Sequence, residues 1–524
     1  MPETDVVIVG GGPVGLGLAI DLTLRGVTSV VLERTETLHS VPKGQNLTQR
    51  TGEHFRTWGV TEQIRTATPI PREFGNAGVV TYGTLLGEYS YDWFQRSKVG
   101  AYYFALNERL PQYRTEQVLR DRLAELPAAD LRLGCTVTAV EQTADHVSVT
   151  FNNSNGEQTL NARYVVGCDG ARSIVRQLSG IQQEIDHQGP RMALLVFRSS
   201  ELDRLLARYP GKSIYNVMNP DLDGYWQFLG RVDLDGGWFY HAPVPAGAAG
   251  EDYFRAHLHT MVGAEFELEF EHIGFWDLRI SHAKTYRSGA VFIAGDAAHS
   301  HPPYGGYGVN MGLEDARNLS WKLAAKVHGW GGGALLDAYS AERHPVFQSV
   351  AADFIQRMIE DFRGFLSQYD PCANKDLFEA AWAKRAAGGD ADVTQFLPHY
   401  AGSPIVSGKQ QACSGAKGMH EFTARAGYHL APQPLPDGSD MWDTLGLGFT
   451  MLDFSESGAT SAAFEAAAKE LHVPFARRHN ASVELAETYG TSAILIRPDH
   501  FIAWVERDEQ FEVEMVLKHA IGAG

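Results

Sequence analysis

Asp5-Val6-Val7-Ile8-Val9-Gly10-Gly11-Gly12-Pro13-Val14-Gly15 is the stretch that decides the fold. The residues before Gly10 form a short apolar run rich in β-branched side chains, which reads as a buried strand. Gly10, Gly12 and Gly15 then have dinucleotide-binding spacing. The first allows a tight turn, the second lets backbone approach a pyrophosphate, and the third lets the next helix pack on the strand. Pro13 and Val14 open that helix, which runs to Arg25 and offers free N–H groups and a positive dipole end to phosphate. Val30-Val31-Leu32 is a second strand, closed by Glu33 and Arg34. Glu33 lies roughly 20 residues past the glycines, where a carboxylate bonds a ribose hydroxyl. These flanking parts predict an adenine dinucleotide on a Rossmann-type α/β domain.

Two later strand ends repeat the pattern. Arg163 to Gly167 runs into Cys168-Asp169-Gly170, with Ser173 and Arg176 at a helix start. Val291-Phe292-Ile293 runs into Ala294-Gly295-Asp296. In open α/β sheets ligands bind at such carboxyl ends. With all three motifs in this order, the chain resembles the class A flavoprotein monooxygenases, the FAD-dependent aromatic hydroxylases of the p-hydroxybenzoate hydroxylase and phenol hydroxylase type. The resemblance implies that Asp169 touches FAD and the path of NAD(P)H, and that Asp296 binds the ribityl chain.

The similarity continues to about residue 350. Pro42 to Gly59 matches the family's segment after the second strand, which implies that Arg50 contacts FAD and that Gln45 stands at a polar substrate contact. Gln112 to Glu116 matches Q-x-x-x-E, whose glutamine lies on the ribityl region. His299 to Gly312 resembles the loop and helix start that cradle the isoalloxazine, placing Pro303, Gly305, Gly306, Gly308, Val309 and Asn310 beside the flavin. Asp315 to Leu323 and Glu342 to Pro345 continue the family's helices. Tyr304, Tyr307 and Gly44-Gln45-Asn46 depart from the commonest pattern, so no relative's substrate can be borrowed.

A chain of 524 residues is too long for one core. The FAD-binding domain is expected over 1–75, 100–180 and 280–400, trailing helices included. Between its parts, 76–99 and 181–279 are expected to build an antiparallel substrate-binding sheet. Met192 to Phe197, Gly224 to Val232 and Gly237 to Pro243 read as its strands, and Tyr225, Gln227 and His241 are its candidate substrate contacts. Ser403 to Lys417 and Ala386 to Asp390 read as linkers. Residues 405–524 resemble the thioredoxin-like C-terminal domain of longer family members. No C-x-x-C is present, so the expected use of that domain is packing or homodimer contact, separable from cofactor binding.

The formal net charge of −18 argues against nucleic acid or an anionic membrane as partner. The first strand begins almost at once and no apolar run is long enough to span a bilayer, which suits a cytoplasmic protein. The four cysteines are scattered, and neither zinc nor any other metal is expected.

The single Rossmann fingerprint belongs to FAD, so NADPH or NADH serves as transient co-substrate. The resemblance implies a flavin 4a-hydroperoxide that transfers oxygen to a phenolic or related aromatic substrate. Same-fold alternatives are an oxidase, a reductase or a Baeyer–Villiger oxygenase; a non-catalytic flavin-binding protein is a more distant one. A phenol needs a polar residue near its hydroxyl, for which Gln45, Tyr225, Gln227 and His241 are the candidates. Pro303 and Gly305 are expected at the reacting centre, with Tyr304 close to the substrate ring.

Overall fold

The computed structural model describes residues 2–74, 77–248, 250–389, 391–408, 413–507 and 511–524. The expected boundary at 75–76, Asp390 and residues 409–412 lie outside the described residues. Thr4–Val9 is central in a parallel sheet between Ser29–Leu32 and Gly156–Gly167, with Ala129–Arg132 and Val291–Ile293 beyond them. Val6 to Val9 and Val30 to Leu32 are buried. Covered on both faces, they read as unbroken apolar runs rather than alternating ones. Val9 stands opposite both Leu32 and Gly167, and Gly167 opposite Ile293. The chain therefore leaves the sheet at one edge four times, at Gly10, Glu33, Cys168 and Ala294.

A second sheet of eight strands has the order His299–Ser300, Glu269–Ala283, Gln183–Arg198, Gly237–Pro243, Gln227–Arg231, Ile214–Met218, Gly78–Tyr82 and Ser90–Trp93. Only the pairing of Ile214–Met218 with Gly78–Tyr82 is parallel. One face carries Leu195, Tyr215, Leu229, Trp238 and Tyr240 into a core with the helix Glu251–Val262. The other face carries Ile214, Phe228 and Phe239 toward the dinucleotide-binding part. Gly224, Tyr225 and Trp226, expected within a strand, form the turn before it.

The C-terminal part places Phe475–His479, Phe449–Asp453, Ala493–Ile496 and Ile502–Val505 side by side in that order. The first pair is parallel and the others antiparallel, with helices Ala459–Glu470, Val483–Tyr489 and Val513–Ala520 around them. This is the thioredoxin-like arrangement. No helix among the described residues is long and apolar enough to cross a membrane.

The helix Gly308–Val327 threads between these parts, and Asn310 to Ala325 are all buried. Its polar side chains must then be paired within the protein. Glu314 meets Arg50 at 2.8 Å and His54 at 3.0 Å. Asp315 meets Arg343 at 2.6 Å and His299 at 2.7 Å. Arg317 meets Asp21 of the fingerprint helix at 2.8 Å, and Lys322 meets Glu342 at 2.6 Å.

The C-terminal part is bonded into this network. Its turn at Pro498-Asp499 reaches the same helix: Arg317 donates to the Pro498 carbonyl at 2.8 Å, and the Trp321 indole donates to Asp499 at 3.1 Å. Arg497 pairs with Glu342 and with Asp499, both at 2.6 Å. The segment read as a linker begins buried, with the Ser403 hydroxyl donating to Glu342 at 2.6 Å. Sequence alone suggested independence because every cofactor motif precedes residue 405; the ion pairs that cross that boundary leave no motif.

Burial alone would raise the pKa of Glu342, but Arg497 and Lys322 outweigh it and hold the carboxyl well below the usual range. Asp21 is held down in the same way by Arg317 and Arg25. Groups depressed in the folded state stabilise it fully above their unfolded pKa of about 4, and that stability is lost as pH falls further. Urea unfolding should therefore show a steep acid decline below about pH 5. Arg497→Met should cost about 3–5 kcal/mol at pH 7 by leaving Glu342 under-compensated. Wild-type unfolding behaviour in that variant would show that the turn is dispensable.

Candidate active site

One continuous cavity of about 850 Å³ runs along the strand ends and into the second sheet. Its first arm is lined by Gly10, Gly12, Pro13 and Val14. Gly10 turns with φ of 109°, and a Cβ there would lie 2.4 Å from the Cys168 carbonyl oxygen. At Gly12 a Cβ would meet nothing within 4 Å, so the backbone is open to whatever fills the cavity. The helix Pro13–Leu24 starts here with no side-chain cap. Gly15 lies beneath the lining, where a Cβ would come within 2.0 Å of the Gly10 carbonyl oxygen.

Glu33 and Arg34 line the same arm. Gly11 donates to one Glu33 oxygen at 2.6 Å, and the Thr35 amide and hydroxyl donate to the other at 2.8 and 2.6 Å. Burial opposes ionisation of Glu33, but these bonds outweigh it and lower the pKa. Asp169 accepts from the amides of Ile174 at 2.7 Å and Val175 at 3.1 Å through one oxygen, while its other oxygen is buried without a partner. The Asp296 carboxylate opens into the cavity and is walled by protein, which raises its pKa. Gln112 accepts from the Gly44 amide at 3.2 Å and donates to Glu116 at 2.7 Å, which fixes its side chain at the cavity wall.

The arm continues past the loop of Pro303, Gly305 and Gly306 to Gly308 and Val309, where a second helix begins without a side-chain cap. Asn310 holds this junction together. Its Oδ1 accepts from the Thr48 amide at 2.8 Å and the Thr51 hydroxyl at 2.6 Å, and its Nδ2 donates to the carbonyls of Asn46 at 2.7 Å and Gly306 at 2.6 Å. With its bonds spent on protein, Asn310 clamps the loop and does not line the cavity. Gln45 does line it, buried, with both side-chain amide atoms lacking a protein partner.

Beyond the loop the cavity becomes a chamber of rings: Trp93, Phe94, Trp226, Phe228, Phe239 and Trp276. Trp226 is backed by Tyr304, stacked at 4.5 Å, whose hydroxyl accepts from the Trp226 amide at 3.0 Å. Tyr304 therefore stands behind the wall rather than beside the substrate. His241 also lines the chamber. The Trp276 indole can only donate, and it does so to His241 Nδ1 at 3.2 Å, so the ring proton of His241 is on Nε2. Burial pushes the His241 pKa down to about 3, so the ring is neutral at pH 7. It can donate to a substrate oxygen but is a poor base.

His301, a lining residue too, has the opposite tautomer. Its Nδ1 donates to the Pro302 carbonyl at 2.6 Å, which leaves Nε2 as a buried acceptor without a partner. Burial pushes its pKa down to about 4. His299 is spent on Asp315.

Three expected contacts lie elsewhere. Gln227 points to the opposite face, where it accepts from the Tyr240 hydroxyl at 3.0 Å; strand alternation gives the cavity face to its neighbour Phe228. Tyr225, in the turn, bonds His187 at 3.2 Å outside the cavity. Arg50 is locked between Glu314 and Glu53, each at 2.8 Å, and donates to the Asp499 carbonyl. The cation that lines the cavity near this segment is Lys43. The aromatic strands of this sheet read from sequence as a pocket wall for a flat ring, but its individual rings and Arg109 were not singled out; alternation about His241 marks Phe239, whereas nothing local marks Arg109.

Residues 3–353 match the FAD binding domain family, and residues 424–524 match the aromatic-ring hydroxylase C-terminal family. A 4-methyl-5-nitrocatechol 5-monooxygenase from Burkholderia sp is 31% identical, covering 99% of this chain and 97% of its own. A rifampicin monooxygenase from Streptomyces venezuelae is 36% identical, with 66% and 69% covered. The structure of aklavinone-11 hydroxylase in a ternary complex with FAD and aklavinone superposes with a TM-score of 0.81 at 26% identity, covering 100% of this chain and 99% of that one.

The two acidic and basic roles above can be separated by experiment. Asp296→Ala should weaken FAD retention about tenfold, read as free FAD after gel filtration, because a charged hydrogen-bond acceptor is lost. Arg50→Met should instead lower the unfolding midpoint while FAD affinity changes little. Loss of FAD from a folded Arg50→Met protein would restore the direct contact.

Proposed function

Because the chain belongs to the FAD-dependent aromatic-ring hydroxylases, we propose that it hydroxylates a phenolic or related aromatic substrate, with dioxygen as oxidant and NADPH or NADH as reductant. The observation that carries this reading is a ring-lined chamber opening from the same cavity as the dinucleotide arm. The open face of Gly12, the two uncapped helix starts and the unpartnered Gln45 amide suit the cofactor. Glu33 would hold the ribose and the Gly12–Val14 helix start the pyrophosphate. Gln112 and Asp296 would hold the ribityl chain, and Gly306 to Val309 would carry the ring system. A cofactor held there would supply the redox chemistry that links NAD(P)H to dioxygen.

The chain's own contribution is placement and dryness. Trp226, Phe228, Phe239 and Trp276 bury a flat ring and keep water from the reacting face. His241 donates from Nε2, and the Gln45 amide can donate or accept, so an oxygen on the substrate ring can be oriented from two sides. Asp169 lies at the cavity's edge where the nicotinamide cofactor would approach. The described structure leaves all four cysteines unpaired, which suits the cytoplasm, where NAD(P)H is available.

Purified protein should be yellow, and an accepted aromatic compound should speed NAD(P)H oxidation. Under labelled dioxygen the product should carry one labelled oxygen atom. A product whose new oxygen is unlabelled, or hydrogen peroxide as the only oxygen product with every aromatic tested, would instead favour an oxidase or reductase.

His241→Phe should lower kcat/KM about tenfold, the worth of one hydrogen bond, with FAD content unchanged and a larger share of hydrogen peroxide. Since His241 is neutral down to about pH 3, His241→Gln should keep the wild-type shape of kcat/KM between pH 5 and 8. A lost inflection in that window would show that the imidazole titrates during turnover.

A further inference from the structure

The chamber contains a cation with no protein counter-charge. Arg109 lines the cavity and is only 2% exposed, yet no carboxylate among the described residues pairs with it. The other deeply buried guanidinium groups of the central network each have one: Arg50, Arg317, Arg343 and Arg497 meet Glu314, Asp21, Asp315 and Glu342. Arg231, whose carbonyl it meets on the second sheet, pairs with Asp203. Arg96 and Arg176 also lack a carboxylate bond, but neither lines the cavity, and Arg176 donates to three oxygens, those of Ala297, Ala171 and Gln183.

Arg109 is held in place rather than satisfied. Nη1 donates to the Asn46 side chain at 2.6 Å and Nη2 to the Arg231 carbonyl at 3.0 Å, while Nε is buried without a partner. A guanidinium has five N–H donors, so the fork keeps capacity beyond these two bonds. Gly230 makes the space for it: a Cβ there would meet the Phe239 ring at 2.1 Å and Arg109 Nη2 at 3.0 Å. Burial without an acid pulls its pKa down to about 9, which still leaves it charged at pH 7. A buried unpaired charge costs several kcal/mol, which a ligand of opposite sign would offset.

No carboxylate among the described residues stands in the rest of the chamber, where the neutral His301 presents an acceptor at Nε2. His241 donates, the Gln45 amide is free, and the cavity's carboxylates, Glu33, Glu116, Asp169 and Asp296, all stand on the dinucleotide-binding part. Resting on the hydroxylase reading, we propose that Arg109 binds an anionic oxygen on the aromatic substrate, a ring carboxylate or an ionised phenol, at the sheet floor of the chamber. An ionised phenol held there would also be the more electron-rich ring, and no strong base in the chamber would be needed to make it.

The test uses the FAD-loaded protein and equilibrium titration followed by the flavin absorbance. Naphthoate and naphthamide form a pair of equal shape and different charge, and a nitronaphthol titrated on either side of its ionisation separates phenolate from carboxylate. Wild type should bind the charged member of at least one pair about 10- to 100-fold more tightly. Arg109→Met should bring that preference to within about threefold, Arg109→Lys should restore part of it, and FAD content should be unchanged. Equal binding of charged and neutral members by wild type, or a preference that survives in Arg109→Met, would overturn the assignment and leave the hydroxylase reading standing. If Arg109→Met does not fold, the wild-type comparison alone decides. Failure of every aromatic to bind or be hydroxylated would remove both readings together.

Discussion

The helix Gly308–Val327 carries six ionic or amide side chains, Asn310, Glu314, Asp315, Arg317, Asn318 and Lys322, in a part of the molecule that water does not reach. Each must find its partner on another segment, and the partners come from the fingerprint helix, from the helices at residues 49–58 and 337–349, and from the C-terminal turn. The same helix begins at the cavity. Its position relative to the strand ends is therefore set by ion pairs whose geometry tolerates little slack, because a misplaced buried charge is costly. The cavity inherits that precision. Loops elsewhere could carry the same residues, but they would not hold Gly306 and Gly308 against Asn46 with comparable firmness.

The second sheet solves a different problem. It offers one face to a core with the helix Glu251–Val262 and the other to a ligand, and alternation divides its side chains between the two. Phe228, Phe239 and His241 face the cavity while Leu229, Trp238 and Tyr240 face the core. On the cavity side His241 is oriented by Trp276, while Arg109, from the separate strand pair of Glu108–Arg109 with Asn46–Leu47, is held against the sheet by Asn46 and the Arg231 carbonyl. A flat, apolar ligand with a small number of oxygens matches such a surface.

Local readings reach the cavity lining where the backbone itself makes it. Gly10, Gly12, Glu33, Asp169 and Asp296 follow strands whose apolar runs are visible in the sequence, and register then brings their ends to one edge. Gln45, Gln112 and the glycines of the 303–308 loop line the cavity as the family resemblance implied. Side chains on the second sheet were harder. Gln227 was taken for a substrate contact on chemical type, although its parity opposes that of His241 once the pairing of Phe228 with His241 is known. Arg50 looked like a cofactor contact from its segment; its acids, Glu53 and Glu314, lie 3 and 264 residues away, and only the nearer was visible. Arg109 had no local mark at all, since its meaning lies in the absence of a partner.

The pairing of Arg497 with Glu342 also has a consequence in time. The two residues are separated by 155 positions. A ribosome adding about 5–20 residues per second needs roughly 10–30 s to travel that distance. Throughout that interval the nascent chain holds a complete set of dinucleotide-binding motifs around a central helix whose Lys322–Glu342 pair still lacks its second cation. The cofactor-binding part cannot complete its final packing until Arg497 has emerged. Closure of the ion-pair network around the central helix thus waits on a turn made 155 residues after Glu342, and a chain stalled before that turn would leave Glu342 without Arg497.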